Sequence, residues 1–155
     1  MLPHKERIGT RDFRRDFEAG RLWRGGLLQM RIFRREVLHE NASGENASAK
    51  NASGENVTRA AFVVTKKSGK AVVRNRLRRR VREIYRLSSR RSDARLARTD
   101  LLIFASANAI GATDEALRKS LEELLERAAK TLAAPNDLTK LDAPRRKIVA
   151  PKRAR

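Results

Sequence analysis

The run from Lys66 to Arg86 (Lys66-Lys67-Ser68-Gly69-Lys70-Ala71-Val72-Val73-Arg74-Asn75-Arg76-Leu77-Arg78-Arg79-Arg80-Val81-Arg82-Glu83-Ile84-Tyr85-Arg86) constrains this chain more than any other stretch. Ten of its side chains are Lys or Arg, and Glu83 is its only acid. From Asn75 to Ser88 the helical period places Leu77, Val81, Ile84 and Ser88 on one face, with Tyr85 at its edge. Asn75, Arg79, Arg82 and Arg86 fall on the opposite face. One side can therefore pack on a core while the other presents a row of guanidiniums. A helix that is merely solvated mixes charge signs for i,i+4 pairing, and this one hardly does. Guanidinium forks match phosphate oxygens bidentately, so the row suits a polyanion, nucleic acid above all.

The rest of the chain narrows the chemistry. Its 155 residues allow one domain with tails, and 37 basic against 18 acidic residues leave a net charge of +19. Such a field attracts nucleic acid and says nothing about fold. The absence of cysteine excludes disulfides, a thiol nucleophile and a Cys-type zinc site. His4 and His39 are the only histidines, both in polar surroundings, which argues against a His-dependent triad or metalloprotease motif. No apolar run reaches the length of a membrane span, and no hydrophobic signal segment follows Met1. The expectation is a cytoplasmic protein with no membrane partner.

In chain order, Thr10 is expected to cap a short helix through Asp12, Phe13, Phe17 and Ala19, with Gly20 as its stop. Phe13 and Phe17 share a face, a spacing more common in cores than in ligand platforms. Gly25-Gly26 breaks the chain before a strand over Leu27–Arg35. Leu28, Met30 and Ile32 point to the core there, and Gln29, Arg31 and Phe33 point away. Residues 39–58 hold three copies of an Asn-Ala-Ser pentapeptide unit and read as a flexible, low-complexity insert. Arg59–Lys67 is a second strand, with Phe62 and Val64 on one face and Ala61, Val63 and Thr65 on the other. Ser88–Thr99 is a charged connection able to extend the basic helix. Asp100–Ser106 is an apolar run of buried-strand length. Thr113 caps a last helix with an apolar face of Leu117, Leu121, Leu124, Leu125 and Ala128, and with Glu123–Arg127 and Glu126–Lys130 pairs on its wet side. The reading is one RNA-binding domain over residues 1–132 and a disordered basic tail over residues 133–155.

Lys66-Lys67, Gly69-Lys70-Ala71-Val72-Val73, Arg74-Asn75-Arg76, Arg78-Arg79 and Arg82-Glu83 together resemble the signature of the bacterial ribonuclease P protein subunit, over roughly residues 5–130. The resemblance implies an α+β sandwich around a mostly antiparallel sheet, in the order α-β-β-(β)-α-β-α. The bracketed short strand would precede the basic helix, and a left-handed βαβ crossover would occur as in the second domain of ribosomal protein S5. It implies that Lys66, Lys67, Lys70, Arg74, Asn75, Arg76, Arg78, Arg79, Arg82 and Arg86 dock on the catalytic ribonuclease P RNA. It further implies that aromatics of the first helix, here Phe13 and Phe17, line a cleft for the 5′ leader of precursor tRNA. Gln29 and Arg31 stand where the family often has apolar or aromatic residues, and Arg31 is available to a phosphate instead.

No residue constellation resembles a hydrolytic or metal site. Asp12 and Asp16 share a helical face, but with Arg11, Arg14 and Arg15 around them they read as a surface ion network. The resemblance places catalysis in the RNA subunit, with Mg²⁺ held by that RNA and no cofactor in the protein. A structural ribosomal-type RNA binder is the main alternative. A DNA-binding regulator would show more base-reading residues than Asn75 among its phosphate contacts. A nuclease acting by itself lacks a site.

Overall fold

Strand pairing organises the chain into three layers in a computed structural model that describes residues 2–35 and 56–133. The elements are α1 (Thr10–Ala19), β1 (Arg21–Arg24), β2 (Leu28–Arg34), β3 (Arg59–Val64), α2 (Ala71–Leu87), β4 (Thr99–Ala105) and α3 (Asp114–Ala133). The sheet order is β1-β2-β4-β3. β1 and β2 pair antiparallel, as do β2 and β4, whereas β3 and β4 run parallel. The fold is thus α+β with a mostly antiparallel sheet, and β3-α2-β4 is a βαβ unit of adjacent parallel strands.

The two-residue alternation of the strands separates the layers. Leu28, Met30 and Ile32 of β2 are buried with Leu101, Ile103 and Ala105 of β4 and Ala60 and Val64 of β3. Leu77, Val81 and Ile84 of α2 close over this face, as do Leu117, Leu121, Leu124, Leu125 and Ala128 of α3. The expected core faces of both helices are therefore the ones buried. Leu102 is fully buried but belongs to the other face, where its cross-strand partners are Arg31 and Ala61. α1 packs on that second face.

Several boundaries differ from the sequence reading. The third strand before the basic helix is present, but at β1. Lys66–Ser68 is instead a 3-10 turn. α2 begins at Ala71 and stops at Leu87, so it does not extend into the charged connection, which folds as two 3-10 turns. Tyr85 is buried rather than at the edge, its ring edge-on to Phe62 at 5.6 Å. Gly9, not Thr10, is the N-cap of α1. Gly20 does end α1, yet in extended conformation, and a Cβ there would collide with the Asp16 carbonyl, which favours glycine at this position. Thr113 caps α3 as expected, its hydroxyl accepting from the Ala116 amide at 3.2 Å. Lys130 pairs with Glu126 at 2.9 Å, but Arg127 leaves Glu123 and lies over the Trp23 ring.

Residues 39–55 of the pentapeptide insert and residues 134–155 of the basic tail lie outside the described residues. Positions 56–58, assigned to the insert, belong to the folded body. Arg98 Nε donates to Asn56 Oδ1 at 2.8 Å, and Thr58 Oγ1 donates to the Leu96 carbonyl at 2.7 Å.

Candidate nucleic-acid interface

α2 presents the cations in two classes. Lys66, Lys67, Lys70, Arg76 and Arg79 are exposed and make no side-chain hydrogen bond or ion pair among the described residues. The rest of the predicted row is partly engaged. Arg78 donates to Asn75 Oδ1 at 2.7 Å, and Arg82 lies over the Phe62 ring at 5.9 Å. Arg86 Nε donates to both Glu83 oxygens at 3.0 and 3.1 Å, which holds the Glu83 carboxyl below its ordinary range. Arg74 is half-buried and its Nε is enclosed without a hydrogen-bond partner. Arg80, in the same run, serves the fold by clamping Asp114 and the Ala112 carbonyl at the start of α3.

The three lysines gather at the N-terminus of α2, whose first turn contains no acid and whose cap makes no side-chain hydrogen bond. Unpaired amides and three ammonium groups there favour an anion. The turn depends on Gly69, at φ 104° and ψ −160°, a region open essentially to glycine alone. Gly69→Ala is expected to cost ~1–3 kcal/mol. Paired thermal melts of the two proteins would show it, and an unchanged melting temperature would mean that the turn is not strained.

The second face of the sheet carries the aromatics. Phe13 and Phe17 stack with centroids 6.3 Å apart, and Phe17 meets Phe104 edge-on at 6.0 Å. Phe17 is 43% exposed, so its ring is no core residue. The Arg31 guanidinium lies 4.6 Å from the Phe17 centroid and donates to the carbonyls of Phe17 and Gly20. Arg31 thus braces the end of α1 rather than standing free for a phosphate. The sequence places Phe33 on the outward side of β2 with Arg31, but does not single out Phe104. Phe104 sits in an apolar run that reads as wholly buried, and only β4's two neighbours show which of its side chains face α1.

Asp16 of α1 and Asp100 of β4 form the buried centre of an ion cluster that the half-exposed Asp12 joins, where a surface network was expected. Asp16 and Asp100 are 1% and 0% exposed. Arg59 Nε donates to Asp100 Oδ1 at 2.8 Å and its Nη1 to Asp12 Oδ2 at 2.8 Å. Arg15 Nη2 reaches Asp16 Oδ1 at 2.8 Å and Asp100 Oδ2 at 3.2 Å, and Arg35 Nε stands 3.3 Å from Asp100 Oδ1. The cluster ties α1 to β3 and β4. The hydrogen bond to Asp100 raises the Arg59 pKa.

Burial pushes the Asp16 carboxyl up to about 6, opposed by Arg15 and reinforced by the charge of Asp100. A folded value above the ordinary 3.8 means that Asp16 favours folding most when protonated. That contribution is complete below about pH 4 and disappears as pH rises through about 6. Relative to Asp16→Asn, the natural protein should therefore lose on the order of 1–3 kcal/mol across this window. Urea denaturation of both proteins at several pH values measures it, and parallel stability curves would refute the shift.

Among the described residues, no group of three or more His, Cys, Asp or Glu could hold a metal ion, and no helix is long and apolar enough to cross a membrane.

The family model described as Ribonuclease P matches residues 2–129. The chain is 43% identical over 63 residues to the ribonuclease P protein component of Brucella suis, covering 41% of this chain and 43% of that protein. It is 43% identical over 70 residues to that of Thermus scotoductus, covering 45% and 40%. The matched segment thus spans less than half the length of these curated relatives. Among solved structures, the Staphylococcus aureus RNase P protein superposes with a TM-score of 0.57 at 22% identity, covering 79% of this chain and 94% of that one. The Thermotoga maritima RNase P protein gives a TM-score of 0.57 at 23% identity, covering 79% and 96%. At these identities the structural likeness speaks for the fold.

Proposed function

Because the chain belongs to the ribonuclease P protein family, we propose that it is the protein component of a bacterial ribonuclease P, acting with a catalytic RNA on precursor tRNA in the cytoplasm. The observation that carries this reading is the set of exposed cations without intramolecular partners, Lys66, Lys67, Lys70, Arg76 and Arg79, on one rigid helix and its leading turn. Phosphate contacts from such a row fix position and orientation without reading sequence. They suit docking on the structured RNA subunit. On the other face of the sheet, Phe17 and Phe104 offer ring surfaces on which unpaired bases of a 5′ leader stack whatever their identity.

In this reading the protein binds and orients, and the RNA performs the endonucleolytic cleavage. Mg²⁺ needs oxygen ligands, whereas the exposed Lys and Arg of the interface only donate, and its oxygen-bearing side chains Asn75 and Glu83 accept from Arg78 and Arg86. The residues present therefore do not fit a resident Mg²⁺, and the metal belongs with the RNA phosphates. Cations brought close to those phosphates lower their mutual repulsion, so less Mg²⁺ is required for the RNA to act.

Reconstitution with the host's candidate catalytic RNA tests the proposal. Precursor tRNA should be cleaved to the mature 5′ end at lower Mg²⁺ with the protein than without it, and RNA-free protein should leave it intact. If the protein binds the RNA but never changes the Mg²⁺ requirement, the structural RNA-binding alternative takes its place.

A further inference from the structure

β3 is an edge strand, and its outer side is only partly occupied. The N-terminal segment meets it through one isolated parallel bridge, Arg7 with Ala60. Just beyond that bridge a cavity of about 220 Å³ opens, lined by Leu2, Arg7, Ile8, Ala61, Phe62 and Arg82, with Ala60 at its base. It is smaller than the roughly 300–1,000 Å³ of sites for drug-sized ligands, which leaves room for one planar ring system.

The walls are chemically uneven in a way that selects such a ring. Ile8, Ala61 and Phe62 supply apolar surface. The Phe62 ring is fixed edge-on against Tyr85, and the Arg82 guanidinium lies over it at 5.9 Å, so two planar groups bound one side. Arg7 spends only its Nε on the Leu2 carbonyl, at 2.9 Å, and its terminal nitrogens have no partner among the described residues. The outer backbone edge of β3 beyond Ala60 offers donors and acceptors to the rim of a flat ligand.

The position matters as much as the lining. Ala61 belongs to the sheet face that carries the Phe17–Phe104 cleft, and Arg82 belongs to the cationic row of α2. The cavity thus lies at the edge between the two surfaces.

We infer that this β3-edge cavity is a binding site for a single unpaired nucleobase of an RNA strand, stacked on the Phe62–Arg82 wall with its flanking phosphate on Arg7. The inference rests on the RNA-binding reading above, and adds a base-holding site distinct from the α1 cleft.

The probes are a short single-stranded RNA and an abasic RNA of equal length, each titrated over a range of salt against the full-length protein. The natural protein should prefer the base-bearing strand, and Ile8→Trp, which fills the cavity, should weaken that strand about fivefold to a hundredfold, the effect of one lost stacked base. The abasic strand and its salt slope should be unaffected by the same change. Ala61→Leu narrows the cavity from the strand side and should reproduce the loss, so misfolding of one variant does not decide the matter. In a Phe17→Ala background the loss should persist in full, since the two sites are separate. If both cavity variants keep the base preference undiminished, or reduce it only when Phe17 is present, the cavity holds no base. Salt-independent or absent binding of the abasic strand would instead bring down the RNA-binding reading itself.

Discussion

Asp100→Asn is expected to destabilise the fold by ~3–5 kcal/mol, the cost of removing one partner from a buried ion network. Asp100 is fully buried and gathers Arg59, Arg35 and Arg15, of which Arg59 and Arg35 are themselves mostly enclosed. The amide keeps the shape and leaves these guanidiniums facing a neutral group, so a large effect would come from charge and not from packing. For a domain of this size the melting temperature should fall by roughly 10–25 °C. Asp12→Asn is the control. Asp12 is a half-exposed member of the same network, and its loss should cost no more than ~1 kcal/mol. The Asp16 pH window should also move down in the Asp100→Asn protein, because the neighbouring charge that helps to raise Asp16 is gone. Thermal and urea melts of the three proteins decide this, and equal stabilities for the two single variants would show that Asp100 is not the hub.

The second large effect concerns RNA. Changing Lys70, Arg76 and Arg79 together to Ala removes three exposed cations that hold nothing in the folded protein, so the melting temperature should be unchanged. Each lost phosphate contact reduces the salt slope by about 0.9 on duplex and 0.7 on single strands. Three such losses lower affinity for structured RNA on the order of a hundredfold at about 0.1 M salt. Arg80→Ala is the counterpart. It lies in the same basic run but clamps Asp114, and should reduce stability more than RNA affinity. Titrations across a salt series distinguish the two, and a triple variant with an undiminished salt slope would remove α2 from the interface.

Amphipathic periodicity made most of the local structure legible. The buried faces of α2 and α3 and the alternation of β2 repeat often enough along the chain that a few residues suffice to show which side is wet. The excess of positive charge, and its concentration around α2, are likewise properties of composition and order. They need no fold to be read, and they point to a polyanion wherever the helix is placed.

What remained hidden involves partners far apart in the chain. β1 is four residues long and becomes a strand only because Leu22 and Trp23 find Arg31 and Met30 across a hairpin. Asp16 looks like one more charge on a wet helix. Its burial depends on Asp100, 84 positions away, arriving beside it on a central strand, with Arg15 spanning both. Phe104 and Phe17 share a surface for the same reason, since the parallel β3–β4 pairing and the seat of α1 set which face of β4 stays open. Sequence by itself therefore determined the helices, their apolar faces and the cationic character. The tertiary structure decided which charges are buried, which aromatics meet and where cavities open, because those are properties of neighbours in space, and strand pairing chooses them.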